Sequence, residues 1–88
     1  MAKILLPAGW THGARTEFDV PAGPLMEVIK RFAAAHPAHR RRLLGDDGEP
    51  LGYFNVYVDD DPVARPDRAA AEIASDSVVV IVPPLAGG

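Results

Sequence analysis

The sequence predicts an α+β domain, a mixed β-sheet packed on one main helix. Three patterns carry that prediction. Leu25, Val28, Ile29 and Phe32 recur at i, i+3, i+4 and i+7, which places one apolar stripe on an amphipathic helix. Thr16-Glu17-Phe18-Asp19-Val20 alternates polar and apolar side chains, as a half-buried strand does. Ser77-Val78-Val79-Val80-Ile81-Val82 is a β-branched run that ends on two prolines, the strongest strand signal in the chain. A sheet laid on a single helix is the economical way to bury one apolar helix face.

Taken in order, Lys3 to Leu6 is a short apolar first strand, too short for the core of a signal peptide. Residues 7–15 have a turn-forming composition, so strands one and two read as a hairpin with a long, mobile loop carrying Trp10 and His12. Pro24 suits the first turn of the helix, where its missing N–H costs nothing. The helix runs over roughly 24–36 and Pro37 ends it, because the residue before a proline is pushed out of the helical region. Residues 43–52 read as turns, with Leu43-Leu44 as a short strand. Phe54 to Val58 is a strand by its aromatic and β-branched composition, stopped by Asp59-Asp60-Asp61-Pro62. Arg68 to Ala74 has room for a short helical turn before the last strand. The domain spans 1–82, and 83–88 is an extended tail.

The chain has 88 residues and a formal charge of -3, which points to one small domain. It contains no cysteine, which excludes a disulfide scaffold, a thiolate metal site and a cysteine nucleophile. No apolar run approaches the length of a membrane span, and a cytoplasmic protein is expected. Residues 1–45 hold seven basic and three acidic side chains, whereas 46–88 hold two and nine. A partner can read that asymmetry. Arg40-Arg41-Arg42 has no interleaved aromatic residues and argues for a solvated loop or helix end, not for nucleic-acid binding. His36 and His39 lack a third ligand and read as a surface pair. Asp59-Asp60-Asp61 lacks the glycine and closing glutamate of a calcium loop and reads as a solvated turn. No catalytic residue set and no metal site emerges.

The chemistry lies at the end of the sequence, Pro83-Pro84-Leu85-Ala86-Gly87-Gly88. Two prolines favour an extended exit from the sheet. Six residues reach about 20 Å at full extension. Glycines at the tip pass through a channel that a larger residue would block. The arm presents a carboxylate, a poor acyl donor until it is activated, for example as an acyl-adenylate.

With the strand-strand-helix-strand order, this tail resembles the ubiquitin-like β-grasp sulfur carriers: the small subunit of molybdopterin synthase, the thiamine sulfur carrier and the cysteine-pathway carrier. The resemblance covers the whole chain. Phe54-Asn55-Val56-Tyr57-Val58 with Asp59-Asp60-Asp61-Pro62-Val63 is similar to the cysteine-pathway group, and Pro83-Pro84 to the molybdopterin-synthase subunit. Asp76-Ser77-Val78 resembles the family's entry into its last strand. Pro66-Asp67-Arg68-Ala69 replaces the glycine-leucine turn of the family pattern.

The resemblance implies a carrier rather than an enzyme, with no bound cofactor. An adenylating, ubiquitin-activating-type enzyme with sulfurtransferase function would use ATP and magnesium to activate Gly88. The resulting thiocarboxylate would give sulfur to a downstream synthase making cysteine, thiamine, molybdopterin or another sulfur-containing product. Two other readings stay open: a protein modifier joined through Gly88 to a lysine, and a β-grasp interaction domain that carries nothing. Strand alternation sends Ile4, Leu6, Phe54, Val56, Val58, Val79 and Ile81 inward. It leaves Leu5, Tyr57, Val80 and Val82 outward, a docking patch beside the arm formed by Pro83, Pro84, Leu85, Ala86, Gly87 and Gly88. Neither nucleic acid nor membrane is expected as a partner.

Overall fold

A computed structural model describes residues 1–11 and 15–83. Strand β1 (Ala2–Leu5) pairs antiparallel with β2 (Glu17–Val20), as the hairpin reading requires. The connection differs from the expected mobile loop. Ala8–Thr11 forms a single helical turn, α1, with Thr11 buried and Trp10 half-buried against the core; His12 lies outside the described residues. Two short strands, β3 (Gly23–Pro24) and β6 (Glu72–Ile73), pair across the base of the main helix, α2 (Leu25–Ala35). Pro24 is therefore the N-cap of α2. The Leu25 N–H donates to the Ala71 carbonyl at 3.0 Å, which satisfies one donor that the helix itself leaves unpaired.

Pro37 does end α2, but it also starts a second helix, α3 (Pro37–Leu43). Both follow from one property. Proline excludes the helical conformation from His36, which sits at φ -129° and ψ 76°, yet it is well placed in the first turn of what comes next. Arg40, Arg41 and Arg42 fall in the last turn of α3, where cations meet the negative end of the helix dipole. Leu43 is fully buried in that helix, and Leu44 bridges to Pro50, so the pair does not form the short strand expected.

Strands β4 (Asn55–Val58), β5 (Asp61–Pro62) and β7 (Val78–Val82) complete the sheet, in the order β2-β1-β7-β4-β5. β1 and β7 run parallel in the middle, and every other pair is antiparallel. The acidic run is a two-residue hairpin turn. Asp59 and Asp60 both have positive φ, 51° and 71°, which matches the right-handed twist of the flanking strands. The helical turn near residue 68 lies earlier, as a 3-10 turn over Arg65–Asp67. The core is one cluster in which Leu25, Val28, Ile29 and Phe32 of α2 meet Ile4, Phe18, Val56, Val79 and Ile81 of the sheet.

Candidate functional site

The parallel β1–β7 pair sets the geometry of the outward sheet face. Leu5 pairs with Val80, and Val80 pairs with Tyr57 across the other edge of β7. These three side chains form one row, and Pro62, opposite Tyr57, extends it onto β5. Val82 lies one pleat further along β7, opposite Asn55, where the chain leaves the sheet. Tyr57 is 37% exposed, and Leu5, Val80, Val82 and Pro83 are half-buried. Their inward counterparts Ile4, Val79 and Ile81 are at most 2% exposed. Alternation therefore gave the faces correctly, and the structure brings Leu5, Tyr57 and Val80 together with Val82 next to them. Pro84, Leu85, Ala86, Gly87 and Gly88 lie outside the described residues.

The rim of the row is charged. Lys3 donates to Asp19 across β1 and β2 at 2.9 Å. That hydrogen bond holds the Lys3 ammonium above its usual pKa and the Asp19 carboxyl below its own. At the far end of β7, Asp59 closes the ladder from both sides. Its N–H donates to the Val78 carbonyl, and its carboxylate accepts the Val78 N–H, each at 2.9 Å. Asp59 is a structural acceptor as well as a turn residue.

A cleft of about 340 Å³ opens beside this row, between β4, β5 and the 3-10 turn. Tyr57 and Pro62 belong to both surfaces. Arg68 lines the cleft although it is only 6% exposed. Its guanidinium donates to the Phe54 carbonyl at 2.8 Å and lies over the Phe54 ring, 5.7 Å from the centroid. Arg65 donates to the Gly52 carbonyl at 2.6 Å. A Cβ at Gly52 would stand 3.0 Å from the Arg65 Nε, so a glycine there allows the close approach. Neither arginine has a carboxylate partner among the described residues. Sequence reasoning passed over both. Their spacing around Pro66 is visible, but burial of Arg68 depends on Phe54, fourteen residues away.

The histidines are not a surface pair. His36 and His39 are half-buried and close around Phe18 and Phe32. The His36 ring is 4.8 Å from Phe18 and 4.5 Å from Phe32, and His39 stacks on Phe32 at 6.2 Å. Burial, with His36 and Arg42 nearby, pushes the His39 pKa down. Among the described residues no group of three His, Asp or Glu side chains is placed to hold a metal ion. No helix of the described residues is long and apolar enough to cross a membrane.

No protein-family model and no curated protein sequence matches this chain. Solved structures do. SAMP1 from Haloferax volcanii, a small archaeal modifier protein, is 27% identical over 99% of this chain and 98% of its own, with a TM-score of 0.74. The chain has the ubiquitin-like β-grasp fold, and its likeness to this modifier over the full length fits a protein of the carrier and modifier type. Two further β-grasp structures share its fold across their whole length. One comes from the Amycolatopsis orientalis BexX/CysO complex, 24% identical over all of both chains, with a TM-score of 0.75. The other is Mycobacterium tuberculosis CysO, 23% identical over 97% of this chain and 100% of its own, with a TM-score of 0.74.

Proposed function

We propose that this β-grasp protein is a sulfur carrier whose Gly88 carboxylate is adenylated and then converted to a thiocarboxylate. An activating enzyme uses ATP and magnesium. The carboxylate oxygen attacks the α-phosphorus of ATP, and pyrophosphate leaves. Hydrosulfide then attacks the acyl carbon, AMP departs with the bridging oxygen, and loss of the sulfur-bound proton leaves the thiocarboxylate. A downstream synthase takes the sulfur. Both enzymes dock on the Leu5–Val80–Tyr57 row and Val82, and the Pro83 to Ala86 segment carries Gly87-Gly88 into their channels.

The observation that supports this most is the position of the apolar row. Half-buried apolar side chains on the open face of the sheet line up beside the strand from which the Gly-Gly segment continues. Exposed apolar surface of this kind marks an interaction site. The fold shared with the Amycolatopsis orientalis BexX/CysO complex also supports a carrier that works against a second protein. A protein modifier, joined through Gly88 to a lysine amine, is the second reading, and the likeness to SAMP1 favours it.

Intact-mass analysis of protein purified from its native host separates the two. A species heavier by one sulfur-for-oxygen exchange supports the carrier. A ladder of conjugates with lysine-linked Gly88 supports the modifier. Reconstitution with the purified adenylating enzyme, ATP, magnesium and a sulfide source is the decisive form, and absence of any adenylated or sulfur-bearing product there refutes the carrier.

A further inference from the structure

The Arg65–Arg68 cleft is unusual in its charge. Arg68 is buried to 6% exposure, yet among the described residues its guanidinium donates only to the Phe54 and Val63 carbonyls. A guanidinium carries five N–H donors, and backbone carbonyls offer only partial charge. Burial, aided by the positive charge of Arg65, pushes the Arg68 pKa below its usual value. Removing a cation from water without a counter-charge is costly, and the second arginine in the same cleft adds repulsion. An anion in the cleft would offset both. Guanidinium forks match the planar, two-oxygen geometry of a carboxylate.

The cleft is continuous with the apolar row, because Tyr57 and Pro62 line both. A protein seated on the row therefore covers the cleft mouth. We propose that the cleft takes an acidic side chain, Asp or Glu, from the protein that docks on the outward sheet face. This rests on the docking reading of that face. The pairing gives the open sheet a charge-specific anchor next to an apolar surface that would otherwise discriminate poorly between partners.

Two measurements test it. In the first, the full-length protein is titrated with N-acetylglutamate methylamide and with the neutral glutamine analogue, and the Arg65 and Arg68 side-chain N–H signals are followed by NMR. Saturable shifts with the glutamate compound alone, lost in Arg65→Gln, are expected. No shift with either compound overturns the site whether or not the face docks a partner. In the second, calorimetry measures binding of the purified adenylating enzyme to wild type, Arg65→Gln, Arg65→Lys and Val82→Asp at low and high salt. Arg65 is exposed, and melting curves verify that each variant folds.

Arg65→Gln should weaken binding roughly tenfold, as expected for a charge-assisted hydrogen bond, and should flatten its salt dependence. Arg65→Lys should recover part of the affinity. If Val82→Asp weakens binding and Arg65→Gln does not, the face docks partners and the cleft assignment is wrong. If Arg65→Gln weakens binding and Val82→Asp does not, the cleft stands and the apolar row fails. NMR shifts with inorganic phosphate as strong as those with glutamate, together with unchanged enzyme binding, mean a free-anion site and overturn the side-chain assignment.

Discussion

Adjacent aspartates in β7 test the register on which the docking face depends. Val82 is half-buried on the outward face, and Ile81 is 2% exposed in the core. Fully burying an aliphatic side chain stabilises by about 1.5–3 kcal/mol, so the half-burial of Val82 is worth about 1 kcal/mol. Placing Asp in a strand costs up to about 1 kcal/mol more. Val82→Asp should therefore lower stability by about 1–2 kcal/mol, which is about 5–15 °C in melting temperature for a domain of this size. That exceeds the near-neutral effect of a solvent-facing position, because Val82 packs within its own sheet.

Ile81→Asp is different in kind. Deleting the buried aliphatic group alone costs about 2–5 kcal/mol, and a desolvated, unpaired carboxylate costs several kcal/mol more. Against a total stability of about 4–13 kcal/mol at 0.05–0.15 kcal/mol per residue, that variant should not fold. Circular dichroism melts of both variants, with calorimetric titration of the adenylating enzyme into Val82→Asp, make the measurement. Folded Val82→Asp with binding weakened at least roughly tenfold is expected, since an unpaired carboxylate would be desolvated in the interface. Equal unfolding of the two would show that the strand register is off by one. Normal binding by folded Val82→Asp would remove the docking role of this face.

Other consequences are open to test. Deleting Gly87 and Gly88 should abolish adenylation and sulfur loading in the reconstituted assay while leaving the melting temperature unchanged, and Gly87→Phe should block loading by bulk alone; a stability loss on deletion would make the tail structural. Asp60 holds φ 71° in the hairpin turn, so Asp60→Gly, which gives the favoured Asp-Gly pair, should raise the melting temperature by a few degrees, about 0.5 kcal/mol. Burial depresses the His39 pKa, so below the ordinary histidine value, about 6.5, the unfolded chain binds a proton that the folded chain resists. Stability should therefore be complete above that value and decline as pH falls below it, and His39→Phe should flatten that decline in melts across the acid range; an unchanged slope would show that His39 titrates normally.

The sequence by itself determined the elements whose side-chain periodicity is unambiguous. The stripe from Leu25 to Phe32 has only a helical reading, and the period of two in β1, β4 and β7 assigns Ile4, Val56, Val79 and Ile81 inward because only one sheet face meets a helix. The outward row of Leu5, Val80 and Tyr57 follows from the same alternation, although their alignment across three strands needed the parallel β1–β7 pairing. Tertiary structure alone decided what local chemistry leaves degenerate. Pro37 is compatible with a stop and with a start, and burial of Leu43 selects the second helix. The two-residue strands β3, β5 and β6 carry too few residues for a pattern and exist only through their partners. Arg68 reads as a surface charge until Phe54, just before β4, supplies the carbonyl and ring that hold it, and His36 and His39 read as exposed until Phe18 arrives from β2. Periodicity encodes which side of an element is apolar, whereas burial of a polar group depends on contacts between segments far apart in the chain.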